Sequence, residues 1–246
     1  MMMICSVTAP MQNRRSVFAD QPTISVILPV LNEERVIAIS LQALLSLMPH
    51  EVIVVDGGST DRTRATCEQF GVKVLTSEPS RARQMNCGAK EATGDVLLFL
   101  HADTTLPASA LRDVSAAMRD PNCPGGRFDV EINGAHWMLK VIARLINCRS
   151  RMTKVATGDQ ALFVRHAIFE AMGGFQDIPL MEDIAFCRAL KRIGPIACLH
   201  SRVITSGRRW ERHGVWRTVI KMWILKVLYL AGVSPQRLKQ FYADTR

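Results

Sequence analysis

The sequence lacks two features that would place it in a common protein class, a glycine-rich phosphate motif and paired cysteines. Neither G-x-G-x-x-G nor G-x-x-x-x-G-K-[ST] follows any apolar run, which argues against a dinucleotide dehydrogenase and a P-loop NTPase. The seven cysteines are odd in number, widely spaced and without a C-x-x-C pair. They predict neither a disulfide framework nor a zinc site, and they suit small buried thiols in a reducing cytoplasm.

Acidic residues are scarce in two segments, which together account for the excess of positive charge. The chain has 246 residues and a net charge of +9. Residues 134–155 hold five basic residues and no acid, and residues 208–226 hold six against Glu211 alone. With 48% hydrophobic and 22% charged residues, the composition is that of a globular domain, and the length leaves little room for two. We therefore expect one domain with two basic surfaces.

The first hundred residues alternate short apolar runs with helical patterns. Buried strands are predicted over 24–31, 51–56, 72–76 and 95–103, with helices between them. Repeated β-α units predict an α/β fold, a Rossmann-like open and mostly parallel sheet flanked by helices. After about residue 121 the pattern becomes irregular, and we interpret it as the second half of the same domain.

Polar residues follow the predicted strands, where ligands bind in open α/β sheets. Asn32 and Glu33 follow the first strand, Asp56 ends the second, and Asp103 ends the fourth. One carboxylate that accepts from a base or ribose and another that holds a divalent ion would together suit a nucleotide diphosphate without a P-loop. Taken singly, each strand-end aspartate is more commonly a helix cap.

These segments resemble the family 2 inverting glycosyltransferases of GT-A fold. The resemblance covers about residues 23–240 and is nearest to a small bacterial subgroup that includes arsenosugar-biosynthesis and carotenoid-acid glycosyltransferases. We divide the chain into a tail over 1–22, a GT-A nucleotide-sugar-binding and acceptor domain over 23–207, and a basic, amphipathic helical segment over 208–246. Ordered motifs carry the resemblance: residues 24–34, DGGSTD (56–61), RARQMN (81–86), the Asp103 segment, GDQ (158–160) and MED (181–183).

The resemblance implies a sugar-nucleotide donor, usually a UDP-sugar, and a divalent cation, Mn²⁺ or Mg²⁺. Asp103 takes the place of the metal-binding acid of the D-x-D motif, and His101 replaces its first acid. One carboxylate suffices for Mg²⁺ held with substrate phosphates, and imidazole could assist Mn²⁺. The donor is expected to contact residues of the strand ends, the RARQMN motif and the C-terminal basic loop: Pro29, Asn32, Glu33, Asp56, Ser59, Arg83, Asn86, Arg208 and Arg209.

The resemblance also places the acceptor-activating acid in the Glu182-Asp183 pair. Inverting transfer needs one carboxylate to take the acceptor hydroxyl proton as that oxygen attacks C1 opposite the diphosphate. We assign this catalytic role to Asp183, with Glu182 beside it; the alternative is that both acids only favour a helix N-terminus. The acceptor wall is predicted to consist of Gly158, Asp159, Gln160 and Trp210.

The segment 215–233 is strongly apolar, yet it contains Arg217, Lys221 and Lys226. A charge near the centre of a span costs about 2.5–3.5 kcal/mol on insertion, which argues against a transmembrane helix. An amphipathic helix at the membrane interface is the preferred interpretation. Arg217 and Lys221 share one side of that helix and Lys226 lies on the opposite side, so the helix could also pack partly on the domain.

Residues 136–147 repeat this basic and amphipathic pattern, with Trp137 on the apolar stripe. Two such segments predict a cytoplasmic enzyme, peripheral on the inner face of the cell membrane, that meets a lipid-linked or amphiphilic acceptor. Together with the resemblance, this implies a small-molecule, glycolipid or carotenoid-like acceptor.

Two alternatives belong to other functional classes. A basic nucleic-acid-binding protein would suit the pI near 9.5, but the basic segments have no known nucleic-acid-binding signature and are strongly apolar between charges, so we expect no nucleic acid partner. A sugar-nucleotide-binding protein without turnover would be compatible with the loss of one D-x-D acid.

Overall fold

The computed structural model describes residues 21–208, 210 and 214–242. The predicted tail over 1–22 lies outside the described residues, apart from Gln21 and Pro22. The division of the rest into a domain over 23–207 and a segment over 208–246 stays a prediction.

The first half of the chain forms the predicted β-α units. Strands β1 to β4 are parallel, in the spatial order β3-β2-β1-β4. The fourth strand ends earlier than the apolar run suggests, so His101 and Asp103 lie in the loop beyond it. The elements are β1 (Ile24–Val30), α1 (Ile37–Leu45), β2 (Glu51–Asp56), α2 (Thr63–Gln69), β3 (Lys73–Thr76), α3 (Arg81–Lys90) and β4 (Val96–Phe99).

The second half extends the same sheet, as predicted for one domain, and adds helices around it. A short 3₁₀ turn, which we call the Gly158 turn (Gly158–Gln160), precedes the seventh strand. The other elements are β5 (Thr104–Thr105), α4 (Ala110–Ala117), β6 (Gly125–Asn133), α5 (Met138–Thr153), β7 (Phe163–Arg165), α6 (His166–Ala171), α7 (Glu182–Leu190), β8 (Ile196–Ser206), α8 (Val215–Leu230) and α9 (Pro235–Tyr242).

The complete sheet has the order β3-β2-β1-β4-β7-β6-β8-β5. Strand β7 is antiparallel to both β4 and β6, while β6 and β8 are parallel to each other. The strand direction therefore changes beside β4. A change of this kind opens a crevice at the carboxyl ends of the strands, which is where ligands bind in open α/β folds.

Hydrophobic clusters cover both faces of the sheet. Successive residues of a strand point to opposite faces, so Val26 and Leu28 join one cluster with α1 and α5, and Ile27 joins the other with α3, α6 and α7. The second cluster contains four phenylalanine rings whose neighbouring centroids lie 4.6–5.4 Å apart, at Phe99, Phe169, Phe175 and Phe186. Burial on both faces explains why β1 is almost continuously apolar.

Helix α8 packs on the domain along one side. Val215 joins the first cluster, and Leu225, which is 2% exposed, joins the second. Within the part of the chain that the structure describes, no helix is long and apolar enough to cross a membrane.

Candidate functional site

A hydrogen-bond network joins the loops that follow β1 and β2. The Ser59 amide donates to both carboxylate oxygens of Asp56 at 3.1 Å, and the Ser59 hydroxyl donates to the same carboxylate. The Asn32 amide donates to Ser59 Oγ at 2.9 Å, and Asn32 Oδ1 accepts from the Thr60 amide at 2.9 Å. Asn32 has a φ of +54°, a left-handed conformation that asparagine tolerates better than most residues. The network fixes Asp56, which keeps free lone pairs for a further donor.

Gln84 on α3 supports the carboxyl ends of β1 and β2, and it was not among the predicted site residues. Its Nε2 donates to the carbonyl oxygens of Val30 and Val55, both at 2.8 Å, at the ends of β1 and β2. A Cβ at Gly57 would lie 3.0 Å from the same nitrogen, so glycine suits that position. Pro29, predicted to line the donor pocket, lies half-buried in β1 and pairs with Val55.

Four charged side chains meet beside the end of β1. Burial and, next, the negative charge of Asp103 raise the pKa of Glu33, while Arg208 and Arg81 oppose the shift. Arg208 Nη2 lies 3.9 Å from Glu33 Oε2. The structure thus brings together Glu33, Asp103 and Arg208, all of which were predicted from the sequence, and it adds Arg81, which was not.

Arg83 and Asn86, which were predicted on the donor side, both have protein partners in the structure. Arg83 Nε donates to Asp177 Oδ2 at 2.7 Å, and its guanidinium also pairs with Glu78. Both ends of the Asn86 amide are used by the Phe175 backbone, at 2.8 and 2.9 Å. Arg83 is therefore held by surface acids and Asn86 fixes the Phe175 loop. Arg81 of the same motif acts through its positive charge on Glu33 and on Asp183.

Asp183 lies in the first turn of α7, where backbone amides hold both of its carboxylate oxygens. Oδ2 accepts from the Gly158 amide and Oδ1 from the Ile184 amide, each at 2.7 Å. Burial, the largest cause, raises the pKa of Asp183. The two backbone hydrogen bonds lower this pKa, the negative charge of Asp159 raises it, and the positive charge of Arg81 lowers it. Met181, two residues before Asp183 and next to the start of α7, has a φ of +69°, a strained conformation for a side-chain-bearing residue. Glu182 is buried beside it.

The Gly158 turn packs directly against Asp183 and His101. A Cβ built on Gly158 would lie 2.6 Å from His101 Nε2 and 3.8 Å from Asp183 Oδ2. Any side chain at residue 158 would therefore displace either the His101 ring or the turn. The buried oxygen Oδ1 of Asp159, the next residue, has no hydrogen-bond partner among the described residues.

Of the predicted acceptor-wall residues, Gln160 is turned into the interior, and the role of Trp210 stays a prediction. Gln160 is fully buried, and its Nε2 donates to Ser150 Oγ at 3.0 Å and to the Phe128 carbonyl at 3.3 Å. Its amide therefore supports the Gly158 turn from inside and does not reach an acceptor. Trp210 is half-buried and packs against the first hydrophobic cluster. Arg209, predicted to bind the donor, lies outside the described residues.

A metal site made by protein groups alone is not found: no group of three or more His, Cys, Asp or Glu side chains among the described residues is arranged to hold an ion. The predicted ligands occupy the loop after β4, with His101 against the Gly158 turn and Asp103 acting on Glu33. Any cation here would need ligands from a substrate.

Comparison with known proteins assigns the family. Residues 25–175 match the model of glycosyl transferase family 2. The chain belongs to that family. The match confirms the family resemblance drawn from the sequence motifs, though not the subgroup.

A curated relative of this family 2 chain is the probable glycosyltransferase YdaM of Bacillus subtilis. It is 30% identical over 221 residues, which cover 78% of this chain and 51% of the relative. The chain thus spans about half the length of that relative.

Solved structures confirm the GT-A fold of this family 2 chain. The mannosyltransferase PcManGT from Pyrobaculum calidifontis, in complex with GDP-Man and Mn²⁺, has a TM-score of 0.57 at 19% identity and covers 76% of this chain and 57% of that one. Glucosyl-3-phosphoglycerate synthase from Mycobacterium tuberculosis, with Mn²⁺, UDP and glucosyl-3-phosphoglycerate, has a TM-score of 0.57 at 19% identity, covering 74% and 70%.

Proposed function

We propose that the protein is an inverting glycosyltransferase that moves a sugar from a nucleotide diphosphate, a UDP-sugar, to an acceptor hydroxyl or carboxyl. The position of Asp183 carries the proposal. Its carboxylate is held by the Gly158 and Ile184 amides and linked through the charge of Arg81 to Glu33 at the end of β1. A fixed base beside a nucleotide-binding strand end is what a single displacement requires.

In this mechanism Asp183 takes the proton of the acceptor hydroxyl. The acceptor oxygen forms its bond to C1 of the sugar while the bond from C1 to the diphosphate oxygen breaks on the opposite face. The nucleoside diphosphate leaves with the electron pair. A pKa raised by burial makes Asp183 a stronger base than a solvated aspartate, and its two amide hydrogen bonds keep it oriented.

Leaving-group charge is neutralised on the other side of the site. The fit for a divalent cation rests on the donor atoms in the loop after β4, where Asp103 offers a carboxylate and His101 an imidazole. Asp103 would hold the ion, with His101 assisting and the donor phosphates completing the ligands. Such a cation would stabilise the negative charge of the departing diphosphate. Arg208 and Arg81 would add positive charge near the end of β1, since the charges of both lower the pKa of Glu33 there.

A membrane surface is the proposed location of the acceptor. Opposite its buried side, α8 presents a stripe of large apolar residues to solvent, including Trp216 and Trp223, which are 60% and 58% exposed. Arg217 is exposed beside this stripe. Aromatic and basic side chains together suit the headgroup region of an anionic membrane. The proposed cytoplasmic, inner-leaflet location and an amphiphilic acceptor agree with the resemblance to carotenoid-acid glycosyltransferases.

Calorimetric titration of UDP, with and without Mn²⁺, tests the donor assignment. We expect binding that Mn²⁺ strengthens, with GDP and ADP as controls that bind less tightly. Asp103→Ala should remove the Mn²⁺ enhancement and leave metal-free UDP binding unchanged. If none of the three nucleotides binds, the proposed function is refuted.

Co-sedimentation with vesicles tests the membrane surface separately. The chain should bind vesicles that contain anionic lipid, and the double variant Trp216→Ser, Trp223→Ser should bind them less tightly. Ile39→Ser on α1, another exposed apolar position, is the matched control. Equal binding by all three proteins would exclude α8 as the membrane-facing helix.

A further inference from the structure

The Gly158 turn, whose amide holds the carboxylate of Asp183, is closed by Thr157 and Gln160. The Gln160 amide donates to the Thr157 carbonyl at 2.9 Å, and the Thr157 amide donates to Gln160 Oε1 at 3.3 Å. The Thr157 side chain also accepts from the Gln160 amide, which completes a capping box. Because hydrogen-bond geometry is poorer in a 3₁₀ turn than in an α-helix, the position of the Gly158 amide depends on contacts outside the turn.

Gln160 makes these outside contacts with two other elements. The residue is fully buried. Its Nε2 donates to Ser150 Oγ on α5 at 3.0 Å and to the Phe128 carbonyl on β6 at 3.3 Å. A single side-chain amide therefore joins the turn to a helix and to the central sheet.

Helix α5 is fixed to β6 beside this contact. The Asn147 side chain exchanges two hydrogen bonds with the backbone of Val130, at 2.8 and 2.9 Å. The Asn147 carbonyl accepts from Ser150 Oγ at 3.1 Å, and Ser150 is 1% exposed. The hydroxyl that Gln160 uses is therefore held in place through the sheet.

The Gly158 amide carries this fixed position to the proposed base. It donates to Asp183 Oδ2 at 2.7 Å, while Oδ1 is held by the Ile184 amide of α7 itself. The contact from Gly158 thus reaches Asp183 from another part of the chain. The carboxylate keeps its orientation relative to the sheet only while the turn keeps its position.

We propose that Gln160 is a positioning residue for the base Asp183 and acts through the Gly158 amide. The inference rests on the proposed function, because it takes Asp183 to be the base. Gln160 lies in the interior and does not touch the substrate. Without its hydrogen bonds to α5 and β6, the turn would relax and the contact between Gly158 and Asp183 would weaken.

The pKa of Asp183 reports on this contact and can be measured without an identified acceptor. The hydrogen bond from Gly158 lowers that pKa, so weakening the bond should raise it. Gln160→Met retains an unbranched side chain of similar size and removes the amide. We expect it to raise the pKa of Asp183 by about one unit. The measurement is the pH dependence of the ¹³C shift of the Asp183 carboxyl, assigned by comparison with Asp183→Asn.

The substitution leaves the charges around Asp183 unaltered, so a shift would report on the hydrogen bond. These charged side chains come from four elements: Asp159 of the turn, Arg81 of α3, Arg149 of α5 and Lys226 of α8.

Two further variants separate positioning from a general loosening of the fold. Ser150→Ala removes one acceptor of Gln160 and should raise the pKa of Asp183 by a smaller amount, and it provides the test if Gln160→Met does not fold. Ser25→Ala is the matched control. Its hydroxyl is fully buried and makes two hydrogen bonds at the amino end of β1, away from the site. This variant should lower the unfolding temperature and leave the pKa of Asp183 unchanged.

UDP titration on the same samples separates failure of this inference from failure of the proposed function. UDP affinity should stay within about twofold in every variant, since the donor-side loops are not altered. An unchanged pKa of Asp183 in every folded variant of Gln160 and Ser150, or an equal rise in Ser25→Ala, overturns the inference and leaves the donor assignment intact. The expected pKa shifts in a protein that binds no nucleotide would instead refute the proposed function, and Gln160 would still orient the Asp183 carboxylate.

Discussion

The donor and acceptor sides of the site are built in different ways. On the donor side, short loops after β1 and β2 hold one another through Asn32, Asp56 and Ser59. On the proposed acceptor side, the contact that holds Asp183 comes from the Gly158 amide, 25 residues apart in the chain. A loop network of this kind is complete once the sheet forms, whereas the acceptor side depends on helix packing. Substitutions should therefore separate donor binding from turnover.

The largest expected effect is that of Asp183→Asn. Turnover should fall by about 10²–10⁴-fold, because the group that removes the acceptor proton is lost while its shape is retained. UDP affinity, measured by calorimetry, should remain within about twofold. A parallel loss of UDP affinity would show that Asp183 belongs to the donor side and would break the comparison.

Gly158→Ala should produce the next largest effect. The added Cβ would lie 2.6 Å from His101 Nε2, so either the His101 ring or the turn must shift, and we expect the turn to move its amide away from Asp183. A misplacement of about 1 Å in a catalytic contact can cost about 10²-fold in rate. Steady-state kinetics should show the loss in kcat, with UDP affinity little changed. An unchanged kcat would mean that the Gly158 amide does not position the base.

Arg81→Gln and Arg83→Gln form a matched pair, two residues apart on α3. Arg81 acts on both Glu33 and Asp183, so its loss should lower kcat/KM about tenfold, a value typical of one charge-assisted contact. Arg83 is held by exposed acids, and its loss should change kcat/KM less than twofold, as expected for surface ion pairs. A larger loss of kcat/KM in Arg83→Gln than in Arg81→Gln would support the predicted contact of Arg83 with the donor.

The smallest effect concerns the pH profile. Burial raises the pKa of Asp183, and the base works only when deprotonated. Turnover should therefore decline, as the pH is lowered, at a higher pH than an ordinary aspartate would give. Arg81 lowers that pKa, so Arg81→Gln should move the acid limb of the profile further upward, by up to about one pH unit. A downward shift would contradict this arrangement of charges.

The sequence predicted the donor side better than the acceptor side, for physical reasons. Strand ends are visible as apolar runs followed by polar residues, and this places Asn32, Asp56 and Asp103 at one edge of the sheet. The antiparallel position of β7 leaves no such mark on the sequence, because sheet order depends on long-range pairing. The motif located RARQMN but did not show whether Arg81 or Arg83 faces the site. Residues two apart on a helix point in very different directions.

Gln160 and Lys226 show that sequence spacing does not settle which way a polar side chain faces. Both are polar; the GDQ motif predicts that the first faces an acceptor, and the helical spacing places the second opposite Arg217 and Lys221. The structure turns Gln160 into the interior, where it bonds to Ser150, and half-buries Lys226 on the side of α8 that carries Leu225. The amphipathic pattern of α8 did separate Lys226 from Arg217 and Lys221, and that was the available signal.

Gly158 has a consequence for how acceptor preference can change in related enzymes or by engineering. A Cβ at this position would meet the His101 ring, so a substitution here disturbs the ring or the turn that holds Asp183 before it reshapes the pocket. Variation must come instead from the surfaces that α5 and α8 contribute, which lie on separate elements and can be exchanged without touching the base. Libraries that randomise those two helices and keep residues 158 and 183 fixed should therefore yield new acceptor preferences more often than libraries centred on the turn.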